Sequence, residues 1–464
     1  MIPGPRAQGL ALALALAGTV AVGGRSAAET PPPGPLHAPV VPFHPPMMRV
    51  PAPSPVPVVP ALPRATPAPA SVPALPRYLV EVLTFGPGGH PFTRFGHNAI
   101  RIVDRQAHQD LVYNFGTFSI GGPDLIPDFL RGRLRYWLSV SPTESTLQDY
   151  RGENRSIEAQ GLALSPDAQA ELARRLAVNA RRENRAYKYD YFRDNCSTRV
   201  RDALNAVTGG ALRVAAGAAA TETLRGQALR MAADDVPFYL ALSIVLGPQT
   251  DRPVDAWAED FLPQMLQRTL RLTRIDDGNG PARPLVANER IVFAARRPLP
   301  LAAPPRWGWR FFGVGLAVGL AFAGLGRIGR RRALARVLLG LGLAFVGAVV
   351  GFLGTFLLGA WLFTPHEVVY RNQNILLLAP FALALGVLGW GVAFGWSGAI
   401  RKAFFVTAAA LGLALLAILL KPLLAHQQNG ALIAFAVPMW LGLTLGTHAV
   451  SGIPAVKTRA APST

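Results

Sequence analysis

The first apolar run, Gly9 to Gly23, is short and stands alone. Arg6 precedes it and Ser26-Ala27-Ala28 follows, so a positive start, an apolar stretch too short to span comfortably and a small-residue cleavage site predict a secretory signal over residues 1–28. An uncleaved signal anchor is the alternative, and either reading puts residue 30 onward outside the cytoplasm. Residues 29–77 lose all periodicity and fill with Pro, Ala and Val, as in PAPSPVPVVPALP. Proline fixes φ and removes a donor, which predicts an extended linker without a core, or a docking ligand for a partner. Alternation then appears. YLVEVLTF (78–85), NAIRIVD (98–104) and LVYNFGTF (111–118) read as strands. Helical spacing follows in SPDAQAELARRLAVNARREN (165–184), with Ser165 as N-cap and early acidic residues, and in CSTRVRDALNAV (196–207). Residues 226–304 read as mostly helical with a final strand at ERIVFAA (289–295). The expectation for residues 78–304 is an α+β domain, a small antiparallel sheet packed with helices.

After Trp309 the pattern changes to long apolar runs near 309–326, 337–363, 375–396, 403–420 and 430–447. A helix needs about 20 residues to cross a bilayer, so residues 305–464 are expected to form an all-α membrane domain of five transmembrane helices. Charge supplies an orientation. With residue 305 outside, the loop GRIGRRRALAR (326–336), the Arg401-Lys402 turn and the tail with Lys457 and Arg459 all fall inside. The two outer loops hold only Arg371 and Lys421, so the more basic segments are the inner ones, in agreement with the signal.

Composition fits this division. Apolar residues make up 50% of the 464 residues and charged residues 16%, below a typical soluble enzyme. The net charge of +19 comes from 46 Lys+Arg against 27 Asp+Glu. In an exported chain that balance points to lipid headgroups and topology signals rather than to nucleic acid. The chain has one cysteine, which excludes an internal disulfide. It also makes a zinc site a poor reading, because no second Cys exists and the histidines lack ligand spacing. No cofactor is called for.

The chemistry gathers in two segments, Phe95-Gly96-His97-Asn98 and Asp194-Asn195-Cys196-Ser197-Thr198. A thiol is a nucleophile as the thiolate, and a helix N-terminus capped by Asn195 favours that form. His97 is a candidate base. Asn114 is the candidate for orienting it, with Asp104 and His108 behind it. The bland alternatives are a buried structural cysteine and a structural histidine. His90, in the loop GPGGHPF, reads as surface. The arginines near the site (Arg94, Arg101, Arg131, Arg133 and Arg135) read by default as solvated charge, or otherwise, for the last three, as phosphate ligands.

FGHNAIRI, YNFGTF, DFLRGRLRYWL and YKYDYFRDNCSTR (187–199), continued by LGPQTD (246–251) and FLP (261–263), together resemble the Lnb family. The resemblance covers roughly residues 78–270. It implies a periplasmic domain similar to circularly permuted papain or NlpC/P60-type thiol enzymes, ahead of helices in the bacterial inner membrane. It also implies lipoprotein N-acyltransferase activity, with Cys196 as nucleophile and His97 as base, a phospholipid donor and a lipoprotein acceptor. Around the cysteine, Asn195 and Tyr189 are expected to bind substrate, with Arg133 holding lipid phosphate. A second signal, Thr364-Pro-His366-Glu367 followed by Asn372-Gln-Asn374 and Pro380, is also similar to the family's membrane half. It makes His366, Asn372 and Asn374 substrate-binding candidates at the membrane rim, against the plainer reading of loop and helix-end chemistry. The rival functions are a Cys/His hydrolase of the envelope and a non-catalytic scaffold.

Overall fold

The computed structural model describes residues 76–118, 128, 131–132, 135–276, 281–424 and 426–452. The expected signal, nearly all of the Pro-rich linker, and Arg133 lie outside the described residues.

The described chain begins with β1 (Tyr78–Phe85), β2 (His97–Asp104), β3 (Gln109–Thr117) and β4 (Arg135–Pro142). Then come α1 (Thr143–Gly152), β5 (Ile157–Leu162), α2 (Pro166–Asn179), β6 (Ala186–Lys188) and α3 (Cys196–Val207). Shorter helices follow: α4 (Ala211–Ala215), α5 (Leu224–Met231), α6 (Val236–Val245), α7 (Ala256–Glu259) and α8 (Pro263–Leu272). A small pair, β7 (Arg274–Ile275) with β8 (Arg283–Pro284), leads into β9 (Val286–Phe293).

The main sheet has the order β6-β4-β3-β2-β1-β5-β9, with every neighbouring pair antiparallel. Alternation along the strands sorts the core into two layers. Val80, Val82, Ile100, Ile102 and Phe115 face α2, α3 and α8 through Leu172, Val200, Leu204, Leu266 and Leu270. On the other face, Leu83, Phe85, Ala99, Val112, Ile157 and Ala159 meet Leu147 and Tyr150 of α1. Full burial of an aliphatic side chain in such a layer contributes about 1.5–3 kcal/mol. This is the expected α+β domain, with a larger sheet than the sequence pattern shows. IEAQGL has weak β-propensity, yet it becomes β5 because β1 and β9 pair with both of its edges. Ser165 caps α2 as expected, accepting from the Ala168 amide at 3.3 Å. That helix stops at Asn179, three residues beyond its last buried apolar position, Leu176.

The apolar half contains α9 (Gly308–Gly329), α10 (Ala333–Phe363), α11 (Ala384–Ala393), α12 (Ser397–Leu419) and α13 (Gly430–Ser451). Four of these, all but α11, are long and apolar enough to cross a membrane. Of the five expected runs, the third holds the shorter helix. Asn372 and Pro380 start separate 3-10 turns there, and only ten residues remain for α11. The segment still runs back along α10: Gly351 lies against Leu383, Gly347 against Leu385, and Gly340 against Gly389 and Ala393. Between α9 and α13 the backbones touch at Gly319 and Gly442, an approach that any side chain would block.

Candidate active site

Helix α3 starts at Cys196 because Asn195 caps it. Its Oδ1 accepts from the Ser197 and Thr198 amides at 2.8 and 3.0 Å, and Thr198 Oγ1 accepts from the Asn195 amide at 2.8 Å. Asn195 Nδ2 donates to the Tyr191 and Phe261 carbonyls, both at 2.9 Å. The side chain is buried and both of its polar ends are occupied, so the substrate-binding role expected for Asn195 is replaced by a structural one. Ser197 Oγ lies 2.9 Å from Asn98 Oδ1 and 2.7 Å from the Asp260 carbonyl, fastening the helix start to β2 and to the turn before α8.

This fastening places the thiol at the start of β2, where the backbone amides of Asn98 and Ser197 are directed at the sulfur. The other neighbour is Gly116. Its φ of +93° favours glycine, and a Cβ there would stand 3.4 Å from Cys196 Cβ. The β2–β3 register ends at the Ile100–Tyr113 pair, ahead of the irregular stretch Asn114–Thr117 that holds Gly116.

His97 opens β2 on the α1 face. Its ring lies 5.9 Å from the Phe85 ring and 6.1 Å from the Tyr150 ring, stacked on each. Nε2 is 3.4 Å from Asn114 Oδ1, Asn114 Nδ2 donates to Ser141 Oγ at 3.4 Å, and Ser141 Oγ is 2.7 Å from Thr146 Oγ1. Among the described residues, no hydrogen bond joins the thiol and the imidazole. The structure pairs His97 with Asn114 and sets Cys196 against Gly116, two residues along β3 from Asn114.

Electrostatics set the resting state. Burial lowers the His97 imidazolium to about 3, the nearby Arg155 guanidinium adds to this, and the Asn114 hydrogen bond opposes it. Burial also pushes the Cys196 thiol up, against the amides of Asn98 and Ser197 and the Arg155 charge. The helix start alone therefore does not make the thiolate dominant, because desolvation of the sulfur outweighs it. At neutral pH the site holds a neutral thiol beside a neutral base.

Other candidates are sorted by position. Asp104 sits at the far end of β2 and pairs with Arg77 at 2.8 Å, and His108 occupies the β2–β3 turn with φ +50°. Neither reaches His97. His90 is half-buried rather than a surface group, with its Nε2 enclosed. Arg94 is buried against Asp234 and Asp235, and Arg101 bridges Asp110 and Glu81 at 2.6 and 2.7 Å, so neither is solvated charge. Arg131 and Arg135 are exposed. Tyr189 stacks on Tyr136 at 4.0 Å, and Tyr136 on Phe118 at 4.7 Å, forming an aromatic wall near the thiol.

The rim residues hold structure together. Asn372 Nδ2 donates to the Ile244 and Val245 carbonyls at 2.8 and 2.9 Å, and Asn374 Nδ2 to Ser243 and Ile244 at 3.0 and 2.9 Å. Their oxygens accept from Gln427 and Asn429, both at 3.0 Å. These buried amides satisfy the last carbonyls of α6, so the substrate-binding role expected of Asn372 and Asn374 is corrected to a joint between α6 and the membrane helices. His366 is half-buried ahead of the 3-10 turn Glu367–Val369, and Glu367 pairs with Arg193 at 2.7 Å.

Four contributors escaped the sequence reading. Arg155 is 97% hidden, donates to the Gly86 carbonyl at 2.8 Å and lies 4.5 Å over the Tyr150 ring. Tyr150 and Gly116 shape the space around the pair. Asp260 is buried behind Ser197, its carboxyl pushed up to about 7 by burial. Only the folded register joins these positions, and no local motif marks them.

An α+β domain carrying this site, followed by helices able to cross a membrane, defines a multi-pass envelope protein with a periplasmic domain. Residues 74–226 match the family described as the Lnb N-terminal periplasmic domain, which is the Lnb family indicated by the motifs. The match runs from the residues just before β1 into α5 and covers none of the membrane helices. No curated protein and no solved structure matches the chain.

Proposed function

We propose that the chain is a thiol acyltransferase of the bacterial inner membrane, moving a fatty acyl chain from phospholipid to the N-terminal amine of a lipoprotein. The observation that carries this reading is the sole cysteine at a capped helix start, with backbone amides that favour charge on its sulfur, in a domain that also holds the His97–Asn114 pair at the start of β2. The His-bearing strand precedes the Cys-bearing helix, the chain order of circularly permuted NlpC/P60-type enzymes.

His97, neutral at rest, takes the thiol proton as sulfur attacks the ester carbonyl carbon. The amides of Asn98 and Ser197 already favour charge on the sulfur, and Arg155 adds a positive field. When the tetrahedral intermediate collapses, the carbon–oxygen bond breaks. The lysolipid oxygen takes the proton back from His97, and a thioester remains. The amine then attacks the thioester, sulfur leaves, and the amine's proton returns to the sulfur by way of His97. The aromatic wall of Phe118, Tyr136 and Tyr189 suits an acyl chain. Both substrates are confined to the membrane, so a tethered site meets them at high effective concentration.

The test is the purified full chain incubated with phospholipid bearing a labelled acyl chain, followed by intact mass measurement. The expected result is one acyl adduct, labile to hydroxylamine, on the wild type and none on Cys196→Ala. A diacylated lipopeptide added next gains the label. Labelled free fatty acid with no acylated lipopeptide makes the chain a hydrolase, and no label on protein or lipopeptide removes the transferase reading.

A further inference from the structure

The end of the helical bundle opposite the α6 joint holds a cavity of about 240 Å³, lined by Gly329, Arg330, Arg336, Gly395, Ser397 and Ser451 among others. It forms where α9 and α13 end and α10 and α12 begin. Neither α10 nor α12 has a side-chain cap at its start, so the first amides of two long helices are left without a capping side chain. Arg336 lies against Gly395, and its Nε is enclosed and without a hydrogen-bond partner. Arg327, Arg330, Arg331, Arg332, Arg401 and Lys402 stand at the same end. From residue 305 onward the sequence has a single acidic residue, Glu367, and it pairs with Arg193 at the opposite end. Among the described residues, the membrane half supplies no side-chain carboxylate to this cluster.

We infer that the cavity binds a phosphate group, held by Arg330 and Arg336 together with the open amides at the start of α12. Guanidinium forks and helix N-termini are both suited to phosphate oxygens. The position, at helix ends and on the more basic side of the bundle, makes the headgroup of an anionic phospholipid the ligand, with the glycerol and acyl chains running outward between the helices. This site lies apart from Cys196 and does not depend on the acyl-transfer reading.

The experiment uses the full chain, purified in detergent and stripped of lipid, with retained lipid counted by native mass spectrometry. Phosphatidylglycerol is expected to be retained, and diacylglycerol, which lacks the phosphate, is not. In Arg330→Gln/Arg336→Gln, retention falls by about tenfold or more, the scale of losing charge-assisted contacts. Ser397→Trp fills the cavity while leaving both arginines in place, and is expected to give the same loss even where the double variant fails to fold. Equal retention of phosphatidylglycerol and diacylglycerol, or undiminished retention in Ser397→Trp, overturns the inference. Inorganic phosphate is tried separately. Arginine-dependent thermal stabilisation by phosphate alone, without phosphatidylglycerol retention, keeps the phosphate site but overturns the lipid as its source.

Discussion

Around His97, burial and the Arg155 charge act in one direction and Asn114 in the other. With the folded value near 3, below the usual 6.5, the neutral base persists as pH falls through 6 and 5. The rate of thioester formation is therefore expected to stay level from pH 7 to pH 5, where an unperturbed histidine would already switch it off. Asn114→Ala frees the ring from its only opposing hydrogen bond. Thioester formation should slow by about tenfold to a hundredfold, less than the ~10²–10⁴ that a positioned base supplies. Rapid-quench rates across pH 4–9 test both statements. A wild-type profile that falls at pH 6.5, or an unaltered rate in Asn114→Ala, contradicts them. The side chains on which the proposed reaction rests were legible before folding: Cys196, His97 and Asn114 each carry a chemical type that acyl transfer through a thiol would use. Gly116 and Arg155 were not, because a missing side chain and a loop arginine acquire meaning only when β3, β2, β1 and β5 are assembled in that order.

At the scale of elements, helices and strands with strong alternation were readable, and α3 begins at the residue its cap signal marks. β4, β5 and β6 were hidden for a physical reason, since pairing with established neighbours rather than propensity makes them strands. The third apolar run holds the shorter helix. Its hydropathy is ample, but Asn372, Asn374 and Pro380 divert its first part into hydrogen bonding with α6. That joint gives a prediction. Asn372→Ala with Asn374→Ala removes the side-chain donors of the Ile244 and Val245 carbonyls and leaves Ser243 only its bond from Arg225, at a cost of about 1–3 kcal/mol for each buried group left unpaired. Hydrogen exchange followed by mass spectrometry is expected to show faster exchange at the C-terminal end of α6 and in residues 366–376, with α2 unchanged. Unaltered protection there would mean that the amides hold nothing.

For the whole molecule, the arrangement is an α+β domain at one end of a bundle and, among the described residues, a basic surface without Asp or Glu of the membrane half at the other. The periplasmic family of the domain and the arginines of the far end assign the same orientation by independent routes. A cysteine introduced as Arg331→Cys in a Cys196→Ala background is expected to resist a membrane-impermeant maleimide in intact spheroplasts and to label once the membrane is opened. Labelling before permeabilisation reverses the orientation. The sequence conveyed this large-scale charge asymmetry well, because it is a sum over many residues and tolerates errors in any single helix boundary.

The contact between domain and bundle joins two very different chemical surroundings, and its buried hydrogen bonds across the seam come from the amides of Asn372, Asn374 and Gln427, with Asn429 behind them and the enclosed Arg225–Asp251 pair on the domain side. Mobile ions screen net charges far more effectively than buried dipoles. The exposed Arg193–Glu367 pair yields to salt, while the amide lattice behind it does not. A protein facing an outer compartment whose ionic strength follows the surroundings thereby keeps its domain seated on the membrane in dilute and in saline media alike.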